Sequence, residues 1–294
     1  MEKQLTFAAI QRHTTYSPNH IGNDSAIIHA VAKQLGNNGH KVHFYTEQEF
    51  IASGIEEQYV FTMLRNKLAV QRLKELEKER GVVAVNSAFG IENCGREQMT
   101  RLLLAAGISY PKSWIVDTQI IFEKMKSEIE LALPFWIKRA DFHAIHREDV
   151  TYVRSHSELK QIISEYALRG IDRVVISEHL EGDLIKFYGV YGTPFFYWFY
   201  PYFNDHSKFG IEKINGKPQG LSFEESQLKE MCNAAAAVLN VKVYGGDCIV
   251  SPQGEVSIID FNDWPSFAPC RDDAAQAIAQ VILKTIQENE SIGK

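Results

Sequence analysis

Residues 244–267, YGGDCIVSPQGEVSIIDFNDWPSF, read as a β-hairpin. An apolar run over 244–250 meets a turn at Ser251-Pro252-Gln253-Gly254, and a second run covers 256–261. Pro and Gly between β-branched runs mark such a turn. A two-residue loop of Pro252 and Gln253 sets Ser251 opposite Gly254 and Asp247 opposite Ile258. Side chains alternate along strands, so Ile258, Asp260 and Asn262 share the face of Asp247. Asp247 and Asp260 are then diagonal cross-strand neighbours, about 7–8 Å apart at the backbone. One extra residue in the turn would flip that parity. With it intact, two carboxylates and the Asn262 amide oxygen suit one or two hard cations. The plainer alternative is a pair of acids capping an exposed hairpin. Both acids interrupt apolar strands, however, where an unpartnered carboxylate is costly to bury. A metal-and-phosphate site is therefore expected. Like charges held together repel, so an Asp260→Asn apoprotein is expected to melt no lower than wild type.

The run GGDCIV…GEVSIIDFNDWPSF resembles the end of an ATP-grasp catalytic domain. The resemblance implies an ATP-grasp fold of class α/β, built from α+β lobes, with Asp247, Asp260 and Asn262 holding Mg²⁺ against ATP phosphates. It extends over roughly residues 82–285. It implies an N-terminal α/β lobe (1–95), a helix and lid subdomain (96–180) and a C-terminal catalytic lobe (181–294).

The composition fits a globular protein and narrows its partners. The 294 residues are 45% hydrophobic and 23% charged, with a net charge of -6, which speaks against a nucleic-acid partner. The aromatic run 195–203, FFYWFYPYF, is too short to span a bilayer and contains Pro201. The start MEKQLTFAAI lacks a signal peptide's basic flank and long apolar stretch. The four cysteines show no CxxC spacing, so neither zinc nor a disulfide frame is expected. The expected setting is cytoplasmic and reduced, with a small-molecule acceptor as partner, no membrane contact, and homo-oligomerisation left open.

In chain order, residues 4–10 form a strand and 11–23 a polar loop. Residues 24–35 form a helix with Asn23, Asp24 and Ser25 as caps, and 41–45 a second strand. This order gives a small parallel sheet whose first loop opens beside a helix N-terminus, a natural anion site. Arg12, His13, Asn19 and Asn23 are its candidate substrate residues. Residues 64–80 read as a solvated amphipathic helix, and 82–86 as a third strand. Further on, residues 187–203 read as two strands around Gly192-Thr193-Pro194, their aromatic stripe facing the core. A polar loop (207–220), an alanine-rich helix (224–239), the hairpin, a loop (263–271) and a last helix (272–287) follow.

The resemblance supplies further roles. Arg96 opens a helix where the family usually has Lys after Asp, and a guanidinium can meet a phosphate. Lys138 closes the strand 134–138 in the position that faces the α- and β-phosphates. Between Lys138 and Val150 there is no glycine to cradle a phosphate. His143, His146 and Arg147 are therefore expected to cover the phosphates by side chain. The segment ISEHLEGDLIKFYGV (176–190) resembles the family's hinge: Glu178, His179, Leu180 and Glu181 beside the adenine, Asp183 at the ribose, Lys186 turned back to the phosphates. Arg271 is the candidate grip on an anionic acceptor, since guanidinium matches carboxylate or phosphate bidentately.

The resemblance implies an ATP- and Mg²⁺-dependent ligase that forms an acyl phosphate and joins it to an amine or thiol. Lys138, Lys186, Arg271 and His143 are its candidate catalytic groups. A small-molecule kinase resembling the inositol-phosphate kinases is the rival, on the strength of His143. A non-catalytic nucleotide-binding module is the third reading.

Overall fold

The computed structural model describes residues 4–16, 21–120, 133–141, 147–203 and 214–292. The first part alternates strand and helix. Strands β1 (Thr6–Gln11), β2 (Lys41–Thr46), β3 (Tyr59–Thr62) and β4 (Val83–Val85) pair in the order β2-β1-β3-β4, all parallel. Helices α1 (Ile21–Asn37), α2 (Glu47–Ser53) and α3 (Lys67–Arg80) make the crossovers that parallel neighbours require. The third strand expected at 82–86 is thus the fourth in the chain. Sequence periodicity misses α2 and β3 because seven and four residues are too short to show a period. The start of α2 is set locally instead, by a capping box between Thr46 and Glu49. Helix α3 begins at Lys67 rather than 64, because the Asn66 side chain accepts from the amides of Leu68 and Ala69.

After α4 (Ala88–Asn93) and α5 (Arg96–Ala105) comes a second sheet. Its strands are β5 (Ser113–Asp117), β6 (Phe135–Arg139), β7 (Val150–Val153) and β8 (Arg173–Glu178), antiparallel in the order β5-β8-β6-β7. Helix α6 (His156–Leu168) covers it, and Phe135, Ile137, Ile163, Tyr166 and Val174 form a core of its own.

The third sheet, β10-β9-β11-β12, is antiparallel. It is made of β9 (Asp183–Val190), β10 (Phe196–Phe199), β11 (Val243–Val250) and β12 (Val256–Asp263). Helix α7 (Glu225–Leu239) seals one face, packing Leu228, Cys232 and Ala236 onto Phe187, Cys248, Ile258 and Phe261. Phe196 and Trp198 pack on this core and Phe199 is buried, as the aromatic stripe leads one to expect. The last helix, α8 (Arg271–Ile292), returns to the first sheet, where Ile278, Ile282 and Ile286 pack with Ile27, Val31 and Leu35 of α1. The mixed α/β class expected from the sequence is the class observed. Among the described residues no helix is long and apolar enough to cross a membrane.

One buried amide ties the first sheet to the third. Asn86, 1% exposed, accepts from the backbone amides of Lys242 and Val243 and donates to the Val243 carbonyl, all within 2.8 Å. Replacing it by alanine strands the Lys242 and Val243 amides at the start of β11, while the Val243 carbonyl keeps the Trp264 N–H. Each unpaired buried group costs about 1–3 kcal/mol. Asn86→Ala should therefore lower the thermal midpoint by several degrees or more, as read by calorimetry or circular dichroism. An unchanged midpoint would show that water replaces the amide without cost.

Candidate active site

The hairpin forms, but two local departures from the expected register cancel. The turn is longer than two residues: Val250 pairs with Val256, Ser251 N–H donates to the Glu255 carbonyl, and Gly254 takes φ 83°. That extra residue flips the parity. The register then shifts again between Asp247 and Cys248, so that Cys248 faces Ile258 while Asp247 faces Asp260. Ile259 is the bulged residue, and the bulge restores the parity. The acids end up directly opposed rather than diagonal, about 4.5–5.5 Å apart at Cα. Gly246 makes the close pairing there: a Cβ on it would sit 2.2 Å from the Asp260 carbonyl oxygen and 2.6 Å from the Phe187 ring.

Cations from three different elements meet this acid pair. On β9, Lys186 is in register with Asp247 and its Nζ lies 2.7 Å from Asp247 Oδ1. From the start of α5, Arg96 Nη1 lies 3.0 Å from Asp260 Oδ1, with the arginine side chain 3% exposed. From the second sheet, Lys138 Nζ donates to the carbonyl of the bulged residue, Ile259, at 3.0 Å. Lys138 is buried, and its pKa is pushed down to about 8 by burial and by Arg96, against the pull of Asp260 and Asp247. Asn262 donates its Nδ2 to Asp260 Oδ2 at 3.1 Å. The structure thus brings together Asp247, Asp260, Asn262, Lys138, Lys186 and Arg96. Arg96, expected at a phosphate, is instead paired with Asp260.

The fit to a divalent cation follows from the donor set. Asp247, Asp260 and Asn262 offer carboxylate and amide oxygens from one face of two adjacent strands, which is magnesium chemistry. No group of three or more His, Cys, Asp or Glu side chains forms a protein-only cage among the described residues. A cation bound by two acids and an amide completes its shell with phosphate oxygens and water.

The hinge residues are placed differently from one another. His179, just past β8, accepts the indole N–H of Trp136 on its Nδ1 at 3.1 Å, beside Tyr152. Indole only donates, so this nitrogen carries no proton and the ring's own proton sits on Nε2. Burial holds its pKa below the usual histidine value. Glu178 exchanges bonds with Lys112 through its amide and its Oε1, and the Leu180 carbonyl accepts from Asn215. Glu181 is exposed on the turn. Asp183, expected at a ribose, is 2% exposed and gives both carboxylate oxygens to the amides of Gln219 and Leu221. Its position opposite Val250 inside the sheet buries it, and it braces the 219–221 loop.

At the other end of the hairpin, two arginines of the first sheet's loops hold backbone. Arg65 forms an ion pair with Asp263 at 2.7 Å and donates to its carbonyl, while Arg12 donates to the Trp264 carbonyl and pairs with Asp24 at 3.0 Å. Sequence reading passes over the Arg65–Asp263 pair. Its signal lies in strand alternation: Asp263 shares the buried face of Phe261, where an acid needs a cationic partner. Arg271, at the head of α8, donates to Asn23 at 2.9 Å, and its Nε is buried without a partner. Beside Asn23 lies a cavity of about 160 Å³ lined by Arg12, His13, Asp24, Ser25, Ile28 and Met63 among others. The candidates Arg12, Asn23 and Arg271 therefore gather in one region, with His13 bonded to Thr15 at its edge. Asn19, His143, His146, the side chain of Arg147 and loop residues 207–213 lie outside what the structure describes.

This arrangement of three sheets with an acid-bearing terminal hairpin is the ATP-grasp fold. The chain is similar over its whole length to solved D-alanine–D-alanine ligases. With the Bacillus anthracis ligase complexed with ATP it shares 14% identity at a TM-score of 0.70, covering 98% of this chain and 99% of that one. The VanG D-Ala:D-Ser ligase from Enterococcus faecalis matches at 15% identity and TM-score 0.68, over 96% and 99% of the two chains. D-alanyl-alanine synthetase A from Vibrio cholerae matches at 10% identity and TM-score 0.70, over 97% and 99%. No protein-family model matches the chain, and no curated protein matches it.

The resident cations reverse one expectation. Asp260 does not sit in a field of unrelieved repulsion, because Arg96 and Asn262 hold it. Asp260→Asn deprives a buried guanidinium of its counter-charge, and a hydrogen bond to a charged group contributes about 1.5–3 kcal/mol. The apoprotein variant should melt below wild type rather than at or above it. A melt without added metal or nucleotide decides the matter; an equal or higher midpoint would mean that acid–acid repulsion dominates.

Proposed function

We propose that the chain is an ATP- and Mg²⁺-dependent ligase that activates a small-molecule carboxylate as an acyl phosphate and joins it to an amine. The observation that carries this reading is the row Lys186–Asp247–Asp260 across three strands, with Lys138 reaching it from the second sheet. Cations of the chain from two sheets and a helix thus surround a pair of acids. Phosphoryl transfer needs little covalent help from a protein, so positioning and charge neutralisation carry the rate. Magnesium, when bound by Asp247, Asp260 and Asn262, supplies charge neutralisation at the phosphates. Lys138 and Lys186 orient phosphate oxygens from the two sheets. The Trp136–Tyr152–His179 cluster walls the hinge beside which the base lies.

The acceptor reading rests on the far end of the hairpin. A cavity of about 160 Å³ is smaller than the roughly 300–1,000 Å³ of pockets for drug-sized ligands. Its lining carries Arg12 and Asp24, paired at 3.0 Å, so both signs of charge are at hand for a small zwitterion, and Arg271 stands nearby on Asn23. The structural neighbours are named for D-alanine and D-serine, which puts small amino acids first among the candidate acceptors.

Two measurements test the reading. ATP consumption should appear with a small amino or carboxylic acid from a panel that includes inositol phosphates, and hydroxylamine should trap the acyl phosphate as a hydroxamate with release of phosphate. Phosphate delivered to a hydroxyl would establish a kinase instead, and no turnover with any acceptor would leave a binding module. Lys138→Met should weaken a non-hydrolysable ATP analogue by about tenfold to over a hundredfold in calorimetric titration, the loss of one charge-assisted contact. Wild-type affinity in that variant would remove Lys138 from the site.

A further inference from the structure

We infer, resting on the nucleotide-site reading above, that Arg96 is a resident cation of the metal site: it stands in for a second divalent ion, so the chain loads one metal ion per nucleotide. Two metal ions in one catalytic site sit about 3.5–4 Å apart and act as a clamp on the transferring group. Such a pair needs a carboxylate that spans both ions with its two oxygens. Here Asp260 Oδ1 is engaged by Arg96 at 3.0 Å, and Asp247 Oδ1 by Lys186 at 2.7 Å. Each acid of the pair therefore already gives one oxygen to a cation of the chain.

The burial of Arg96 makes this engagement durable. At 3% exposed and packed at the start of α5, it has little room to swing away, and its removal from Asp260 would leave a buried charge unpaired. A surface lysine could be displaced by an incoming ion; this guanidinium cannot be, at comparable cost. Its Nε is buried and has no hydrogen-bond partner. A planar guanidinium can hold a carboxylate with one edge and a phosphate oxygen with another donor. Arg96 is thus a positioning residue that keeps Asp260 oriented and has a donor in hand.

Charge leads to the same place. Arg96, Lys138 and Lys186 face Asp247 and Asp260, so the cluster carries one net positive charge before any metal binds. One divalent ion suits that balance against a polyphosphate. A second would meet three cations, and no group of three or more His, Cys, Asp or Glu side chains stands ready among the described residues to hold it.

The test counts bound Mn²⁺ by electron paramagnetic resonance on the full chain with saturating AMPPNP, a non-hydrolysable ATP analogue. Wild type should hold one Mn²⁺ per chain. Arg96→Gln should hold two, and should melt lower without metal and regain most of that loss when Mn²⁺ and AMPPNP are added. Arg96→Lys keeps the charge and should stay at one, which separates a charge role from mere packing. Two ions in wild type would overturn the inference while leaving the nucleotide reading intact. One ion in a folded Arg96→Gln variant would also overturn it. Should Arg96→Gln not fold, the counts for wild type and Arg96→Lys still decide, since two ions in either defeats the proposal. A folded wild type that binds no Mn²⁺ with AMPPNP would fell the nucleotide reading itself, and this inference with it.

Discussion

Two carboxylates held opposite one another on neighbouring strands set the terms for this structure. At about 5 Å and an effective dielectric near 20, such a pair repels by roughly 3 kcal/mol. The chain meets that repulsion with Lys186 from β9, Arg96 from α5 and Lys138 from β6. No two of these cations belong to the same element, and Lys138 belongs to a different sheet. The acid pair is therefore where separate parts of the fold converge. Lys138 shows the cost most plainly, since burial leaves its ammonium less favourable than in water. A strained cation beside paired acids is an arrangement in which an added polyphosphate and metal find complementary charge.

The hairpin that carries the acids is anchored at both ends, by unlike means. At the turn end, Ser109 accepts from the Ile258 amide and contacts the Ser257 hydroxyl. At the other end, Arg12, Arg65 and Asn86 hold the backbone of residues 242–243 and 263–264, and Trp264 is buried among the residues shared by the first sheet and α8. The first sheet and the hairpin thus share one apolar core. The second sheet has its own core and meets the rest through polar links such as Lys138 to Ile259, Arg173 to Glu97 and the Glu97 amide to the Ala140 carbonyl. Polar links exchange for water at low net cost, whereas parting an apolar core does not. If any sheet shifts when ligands bind, these contacts make the second one the mover.

Long periodic segments were legible in the sequence: α1, α3, α7 and α8 were all expected within a few residues, as were β1, β2 and the hairpin strands. Short elements were not, because α2, β3 and α4 carry too few residues for a period to emerge. The side chains that converge on the acids were named from the sequence, yet their partners were not. Arg96 and Asp260 lie far apart in the chain, and nothing local to either indicates the other. Asp183 is a similar case. A turn acid after glycine looks solvated until the register with β11 puts it inside the sheet. What decides such cases is tertiary pairing, which a single sequence carries only implicitly.

The hairpin shows how a correct face can come from an incorrect register. A two-residue turn and an unbroken ladder put Asp247 and Asp260 on one face; so do a longer turn and a bulge, because each irregularity moves the pairing by one and side-chain parity has period two. The two solutions differ in what else they provide. An unbroken ladder from a two-residue turn would leave the acids diagonal. The bulge instead opposes the acids directly, and the carbonyl of the bulged residue, Ile259, accepts from Lys138. Alternation alone could fix the face, but the bulge also decides which residues stand directly opposite one another beside Lys138. The irregular residue thus also carries a polar link from the sheet with the acids to the sheet with the lysine.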